Sequence, residues 1–458
     1  MNGGRLVRFP CEAVPEEPAA ARLLGIYPQR GGERLMQRVK VPEGRIRPSQ
    51  LYALAALAEL HTPNYPLHVT TRQDVELHGL LPGDVPAVQR GIAEAGLTSV
   101  AACGDSVRNV TVCPGSGFHA GSWNVLEVAE AIRGFVGSLS WVCELPRKFK
   151  ISLSGCPRAC ARPWINDLGL VANADGTLSA ILAGSLGPSP ATGRLLYEAL
   201  HPGEVLPLLS AALRLFHAEG ERQRRGRARL RHLRQRLGDE EFRKRLDALL
   251  RREARELSVP VPRMPRVESD VPAQARLSLP LGDITPQAAR ELAGLVEASG
   301  TELRLGLQHD LYLFGGAPLS LGPSLGAMVD RPRLVACPGS TWCTRAVADS
   351  RAAARRILAA LPDGGGLTVS VAGCPNNCPQ AAVADIGLIG RARRTGDDGV
   401  ECFRVLVGGG NGQTPDLARE VYPAVPADRL QDIVVQLMGE LSHAKQPARE
   451  PTTPEATP

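Results

Sequence analysis

The chain repeats itself, and that repeat limits what it can fold into more than any other feature of the sequence. Residues 155 to 172, GCPRACARPWINDLGLVA, align without a gap on residues 373 to 390, GCPNNCPQAAVADIGLIG. Upstream, VCPGS around Cys113 matches ACPGS around Cys337. Further upstream, LHVTTRQDVELHGL, ending at Leu80, has a weaker echo in LRLGLQHDLYLFGG, ending at Gly316. Both segments place apolar residues at alternate positions, as strands do. A duplicated α/β unit is the simplest explanation, so each half is expected to hold similar elements in a similar order.

In the first half that order reads as a helix from Pro48 to Leu60, two strands ending near Gly79, a second helix from about Pro86, and then a cysteine-bearing section. This alternation puts the cysteines in loops beside strands, where backbone can wrap a metal group. Between the halves, Ser258 to Gln274 contains Pro260, Pro262, Pro265 and Pro272 and reads as a non-helical linker. The segment after Gln446 is rich in Pro, Thr, Ala and Glu and reads as disordered.

Composition narrows the function classes. At 458 residues the chain can bury more than one core. No apolar run approaches the roughly 18 residues of a spanning helix, and MNGGRLVRFPCEAV lacks the apolar core of a secretory signal, so a cytoplasmic protein with no membrane partner is expected. The net charge of +6 is concentrated: residues 214 to 256 hold 15 Arg and Lys against 8 Asp and Glu. That run reads either as two solvated helices around Gly238 or as a docking face for an acidic electron donor. Nucleic acid is disfavoured, because aromatics make up only 4% of the chain and leave few rings to stack on bases.

Cys337-Pro-Gly-Ser-Thr-Trp-Cys343 is followed, 30 residues on, by Cys374-Pro-Asn-Asn-Cys378. Four thiolates in two close pairs suit tetrahedral zinc or an iron-sulfur cluster, with C-x5-C slightly wide for a zinc knuckle. Buried, unligated cysteines are the bland alternative. With these motifs the sequence resembles the siroheme and 4Fe-4S dependent sulfite and nitrite reductases, from about Gly25 to about Glu440. The resemblance implies an α+β, pseudo-twofold duplicated fold. Its parts would be an N-terminal extension (1–24), ferredoxin-like half-domains (25–100 and 275–326), siroheme- and cluster-binding α/β domains (101–257 and 327–442), the linker (258–274) and a tail (443–458). It also implies that Cys337, Cys343, Cys374 and Cys378 hold the cluster, that Cys378 bridges to the siroheme iron, and that Asn376, Gln73 and Asn109 lie beside the macrocycle. The glycine run Gly408 to Gly412 would sit near its carboxylates.

The same resemblance places cations over the open face of the siroheme: Arg38 in LMQRVKVP, Arg72 in TTRQ, Arg108 in DSVRNV, and Lys148 and Lys150 in LPRKFK. Any one of these alone would be read as an ordinary surface charge. Alternation along a strand puts both lysines on one face and Phe149 on the other. Fixed cations can hold an oxyanion, offset developing charge and pass protons to departing oxygens. The second half has Gln308 where the first has Arg72, and no lysine pair precedes Cys374, so one active site is expected between the halves.

The implied activity is six-electron reduction of sulfite to sulfide, favoured over nitrite to ammonia by Lys150, because sulfite-type members tend to carry K-x-K. A cobalamin-pathway monooxygenase that keeps the cluster cysteines is a second reading, and a cluster-bearing electron-transfer protein a third. No G-x-G-x-x-G turn opens a βα unit, so electrons are expected from a ferredoxin or a partner flavoprotein. Two departures stand out. Cys113, Cys156 and Cys160 remain in the first half, with His119 where Cys343 stands in the second, as either a second cluster site or a relic of duplication. Tyr27 and Cys103 border the anion site and are either crosslinked or simply packed. Cys11, Cys143 and Cys402 belong to no motif.

Overall fold

The computed structural model describes residues 8–361, 366–394 and 399–445. Its first unit contains strand Leu35–Lys40, helix Pro48–His61 and strands Leu67–Val69 and Asp74–Leu80. These match strand Ala273–Ser278, helix Pro286–Ser299 and strands Glu302–Leu305 and Asp310–Phe314 of the second half. Each helix starts on a proline, which loses nothing at a position whose N–H has no helical partner. The Gln50 side chain accepts from Arg47 N–H at the first start, and Thr285 Oγ1 accepts from Ala288 N–H at the second. The two helices face each other, with Glu59 and Arg290 paired at 2.6 Å.

The halves share both a core and a sheet. One apolar cluster combines Leu54, Ala58 and Leu77 with Ala289, Leu292 and Leu313. The strand order Ile26–Pro28, Leu35–Lys40, Asp74–Leu80, Leu67–Val69, Asp283–Ile284 ends on a strand from the second half, paired antiparallel through Asp283 and His68. The alternation expected of the LHVTTRQDVELHGL strands is present, yet both strands are buried on both faces. Leu67, Val69, Val75 and Leu77 enter the core, while Asp74, Glu76 and His78 alternate with them and are buried as well. That second face turns toward the site described below.

Each half then builds a five-stranded sheet. The first runs Thr111–Val112, Ile151–Ser154, Leu168–Ala172, Leu178–Leu182, Arg194–Leu200; the second runs Arg333–Ala336, Thr368–Ala372, Ile386–Arg394, Gly399–Val407, Arg419–Pro426. In both, the first three strands are parallel and the rest antiparallel. The repeat extends to backbone conformation: Glu43 and Leu281, Gln73 and His309, Ala159 and Asn377, and Arg162 and Gln380 are left-handed at equivalent places. Arg162 and Gln380 also hydrogen-bond to each other, side chain to side chain.

The linker is extended, as its prolines require, and is docked rather than free: Val267 N–H donates to Ser122 O and Val271 N–H to Phe118 O. Helices Leu230–Leu237 and Asp239–Glu256 flank Gly238, where they were expected. The tail expected to be disordered lies, from residue 446, outside the described residues. Among the described residues no helix is long and apolar enough to cross a membrane.

Candidate active site

Two loops that follow parallel strands carry the four cysteines. Cys337 N–H donates to Val371 O, tying the first loop to the strand that leads into Cys374. Asn377 takes the left-handed conformation that turns the chain between Cys374 and Cys378. Backbone N–H groups point at sulfur: Gly373 to Cys337 Sγ at 3.2 Å, Arg345 to Cys343 Sγ at 3.4 Å, and Asn376 to the Cys374 thiol. Burial pushes the Cys337 thiol up to about 11 and Cys374 up to about 12, and the neighbouring Cys378 adds to both and to Cys343. The thiols of Cys337, Cys343 and Cys374 resist ionisation and need a positive centre among them before they act as thiolates. Among the described residues no three His, Cys, Asp or Glu side chains converge on a point fit for one metal ion. A cubane takes one thiolate per iron at separate corners, and Cys337, Cys343 and Cys378, all near enough to act on Cys374, can supply such a set.

Cys378 is the exposed member. The hydroxyl of Thr71, beside Arg72, donates to its carbonyl at 3.3 Å, joining the first-half loop to the cysteine turn. Lys148 and Lys150 lie on the segment that leads into strand Ile151–Ser154, with Phe149 bridged to Val107 between them, and this lysine strand and Cys378 face one space, since both lysines feel its sulfur. Neither ammonium has a carboxylate partner among the described residues. Burial, followed by repulsion from Arg108 and Arg229, brings Lys148 down to about 7. Burial, Arg72 and Lys148 push Lys150 well below the ordinary lysine value.

The arginines are held by carbonyls rather than by acids. Arg72 donates to Asn166 Oδ1 at 3.0 Å and to Asn109 O at 2.7 Å, and burial lowers it to about 10. Arg108 donates to Ala102 O and Gly104 O. The Nε atoms of both are buried without a partner. Arg38 differs, being forked onto buried Glu76 at 2.8 and 2.5 Å. Glu76 also accepts from His78, and Arg38, His78 and His68 carry its carboxyl well below the usual range although burial opposes this.

Three of the expected macrocycle contacts have other uses. Gln73 is fully buried; its amide donates to Val112 O at 2.9 Å and Leu305 O at 2.8 Å and accepts from Val112 N–H. Asn109 donates to the carbonyls of Val41, Arg72 and Gln73. Both amides bond backbone and lock the Arg72 loop in place. Asn376 has an exposed side chain and takes part through its backbone N–H to sulfur.

Other residues enter the site without having been singled out. Lys40, paired in register with Asp74, is brought by burial to about 8, and burial raises Asp74 to about 6 against Arg38 and Arg72. Arg229, from the basic run, reaches inward to fully buried Asp167 at 2.6 Å, whose Oδ2 also accepts Lys150 N–H at 2.8 Å. Much of the rest of that run pairs within itself, as in Arg245 with Glu241, Arg252 with Glu256 and Arg243 with Asp247. The alternation Arg38-x-Lys40 opposite Asp74-x-Glu76 was the available signal for the strand residues. Arg229 offered none.

In the first half, Cys113 and Cys160 hydrogen-bond to each other and Arg158 bonds Cys156. Cys160 is lowered to about 6 by that bond and by Arg158, against burial. His119 Nδ1 lies 3.9 Å from Asp270 of the linker. Tyr27 and fully buried Cys103 both act on Arg108. Two open surface grooves, about 600 Å³ beside Arg47, Leu57 and Gly91 and about 750 Å³ beside Glu130, Phe135 and Pro260, share no residue with the site.

Residues 103–253 and 330–441 match the nitrite and sulphite reductase 4Fe-4S domain, and residues 27–95 match the nitrite/sulfite reductase ferredoxin-like half domain. The chain belongs to the nitrite and sulphite reductase family. It is thus an oxidoreductase of the siroheme and 4Fe-4S type, and the orphaned arginine nitrogens, uncompensated lysines and mutually interacting thiols suit an anionic macrocycle beside a cluster. Among relatives, it is 30% identical to a ferredoxin–nitrite reductase of Synechococcus elongatus, over 89% of this chain and 86% of that one. It is 28% identical to the assimilatory ferredoxin-dependent nitrite reductase of Haloferax mediterranei, over 93% and 84%. The solved structure of the Mycobacterium tuberculosis NirA protein shares the fold, with a TM-score of 0.78 at 23% identity, covering 94% of this chain and 88% of that one.

Proposed function

We propose that this reductase carries out the six-electron reduction of nitrite to ammonia, with ferredoxin as the electron donor. The observation that carries the reading is the pair of uncompensated ammonium groups, Lys148 and Lys150, facing the same space as exposed Cys378. Cys337, Cys343, Cys374 and Cys378 would hold the 4Fe-4S cluster, with Cys378 turned to the siroheme; together the two groups supply single electrons and an iron on which an anion can be reduced.

The chain's own residues supply charge and protons. Lys148, Lys150 and Arg108 hold the anion, and Arg72 is fixed by Asn109 and Asn166 so that its charge stays at the rim. Reduction needs several protons delivered to leaving oxygens. Lys148, at about 7, gives up and regains a proton near neutral pH at little cost, which suits a general acid. Asp74 at about 6 and Lys40 at about 8 form a second titrating pair on the adjoining strand, able to refill it.

Nitrite is put first because the relatives named above are nitrite reductases, which reverses the preference for sulfite drawn from the sequence. Sulfite remains the second reading on one observation: two lysines without counter-charge suit a dianion. Steady-state rates with nitrite and with sulfite under one reduced ferredoxin decide between them. A preference for sulfite would overturn the assignment, and a protein lacking a Soret band after siroheme-supplied expression would overturn both readings.

A further inference from the structure

We propose that Arg229 is a positioning residue of the anion site: clamped on buried Asp167, it fixes the lysine strand and adds a cation to the site from the helical segment that follows the first sheet. The proposal deepens the oxyanion-reductase reading and rests on it. Four observations carry it. Arg229 is only 10% exposed and Asp167 not at all, so the pair is built inward although it belongs to the most basic stretch of the chain. The oxygen that receives Arg229 also receives the backbone N–H of Lys150, so one carboxylate sets both the arginine and the strand. In the second half the equivalent Asp385 accepts Thr368 N–H in the same way, and the amide of Asn411 donates to the same oxygen, so the repeat uses this aspartate as a strand anchor twice. Finally, Arg229 Nε and Asp167 Oδ1 are buried without partners, an arrangement that favours a further polar group beside the pair.

The neighbourhood sets the sign of its effect. Lys148 and Lys150 are faced by Arg72, Arg108, Arg147, Arg229 and the Cys378 sulfur. Arg229 itself is bordered by Arg231 and His232 on its own segment and by Asp167 across from it. Removing the guanidinium takes one repelling charge away from both lysines and leaves the Asp167 carboxylate unbalanced. Both changes favour the ammonium form. The lysines then bind an anion no worse at rest but release protons less readily.

The test is the pH dependence of amine acetylation at Lys148 and Lys150, read by peptide mass spectrometry on the purified holoenzyme. In Arg229→Gln, a rise of about one unit in Lys148 lowers its labelling at pH 7 by about fivefold, and Arg229→Lys restores most of it. Labelling in Arg229→Gln equal to the parent overturns the proposal. Should the glutamine variant not fold, the decision passes to Arg229→Met, which keeps the length of the side chain and removes its charge: labelling at pH 7 lowered as expected for the glutamine upholds the proposal, and labelling equal to the parent overturns it. Because labelling needs no turnover, its result stands whichever anion is reduced.

Discussion

Replacing Gln73 by Ala separates two roles that a buried glutamine beside an active site can have. Its amide makes three contacts: Nε2 to Val112 O at 2.9 Å, Nε2 to Leu305 O at 2.8 Å, and Oε1 from Val112 N–H at 2.9 Å. These span three units: the first ferredoxin-like loop, the first cysteine domain and the second ferredoxin-like strand. Truncation leaves a buried N–H and two carbonyls short of a partner, at about 1–3 kcal/mol each, or about 3 kcal/mol at the low end. At about 2 °C per kcal/mol for a unit of this size, the melting temperature falls by roughly 5 °C or more. Thermal unfolding followed by intrinsic fluorescence measures this, and siroheme content per folded chain is measured alongside by absorbance. A melting temperature within about 1 °C of the parent together with lost siroheme would refute the framework role and return Gln73 to the cofactor.

The remaining predictions concern charge and metal. Cys378→Ser should abolish anion turnover while the other three cysteines keep iron bound; siroheme retained with full turnover would sink the bridging role. Anion affinity should fall as pH rises through about 7, where Lys148 loses its proton, and Lys148→Arg should carry the affinity to higher pH, as read from KM against pH. Glu76 is held below its unfolded value, so its stabilisation is complete above about pH 4.3 and drains away as the pH falls. Glu76→Gln should therefore flatten the acid limb of a stability curve and, by loosening Arg38, raise the KM for the anion. Iron analysis should give about five atoms per chain for one cluster plus siroheme, and about nine would mean that Cys113, Cys156 and Cys160 hold a second cluster.

The fold was legible because duplication writes the same signals twice: Pro48 and Pro286 at helix starts, parallel strands before Cys113, Cys156, Cys337 and Cys374, and left-handed residues in matched turns. The lysine pair was legible through the family resemblance, with alternation about Phe149 adding only that both ammonium groups share a face. The carbonyl contacts of Gln73 and Asn109 were not legible, because an amide next to an arginine motif looks the same whether it binds a ligand or a carbonyl, and the backbone brought opposite it comes from distant sequence. Arg229 was hidden for the reverse reason. Within a run of 15 basic residues nothing local marks the one that meets a buried aspartate 62 positions away. Asp74, Glu76 and His78 occupied the polar half of an alternating strand, the half ordinarily assigned to solvent, and were buried because a second layer covers them.

The bond between Arg162 and Gln380 has a consequence for what this chain can hold. In a closed two-fold assembly, a residue meets its own copy only on the rotation axis. Two positions that are the same position in the repeat, bonded to each other across 218 residues, mark the pseudo-twofold axis of the single chain. A pair of identical subunits would bring two identical side chains together here, two arginines or two glutamines. One chain is free of that equality: a cation stands on one side of the axis and a neutral amide on the other, and lysines can gather in one half alone, differences that no symmetric dimer can carry.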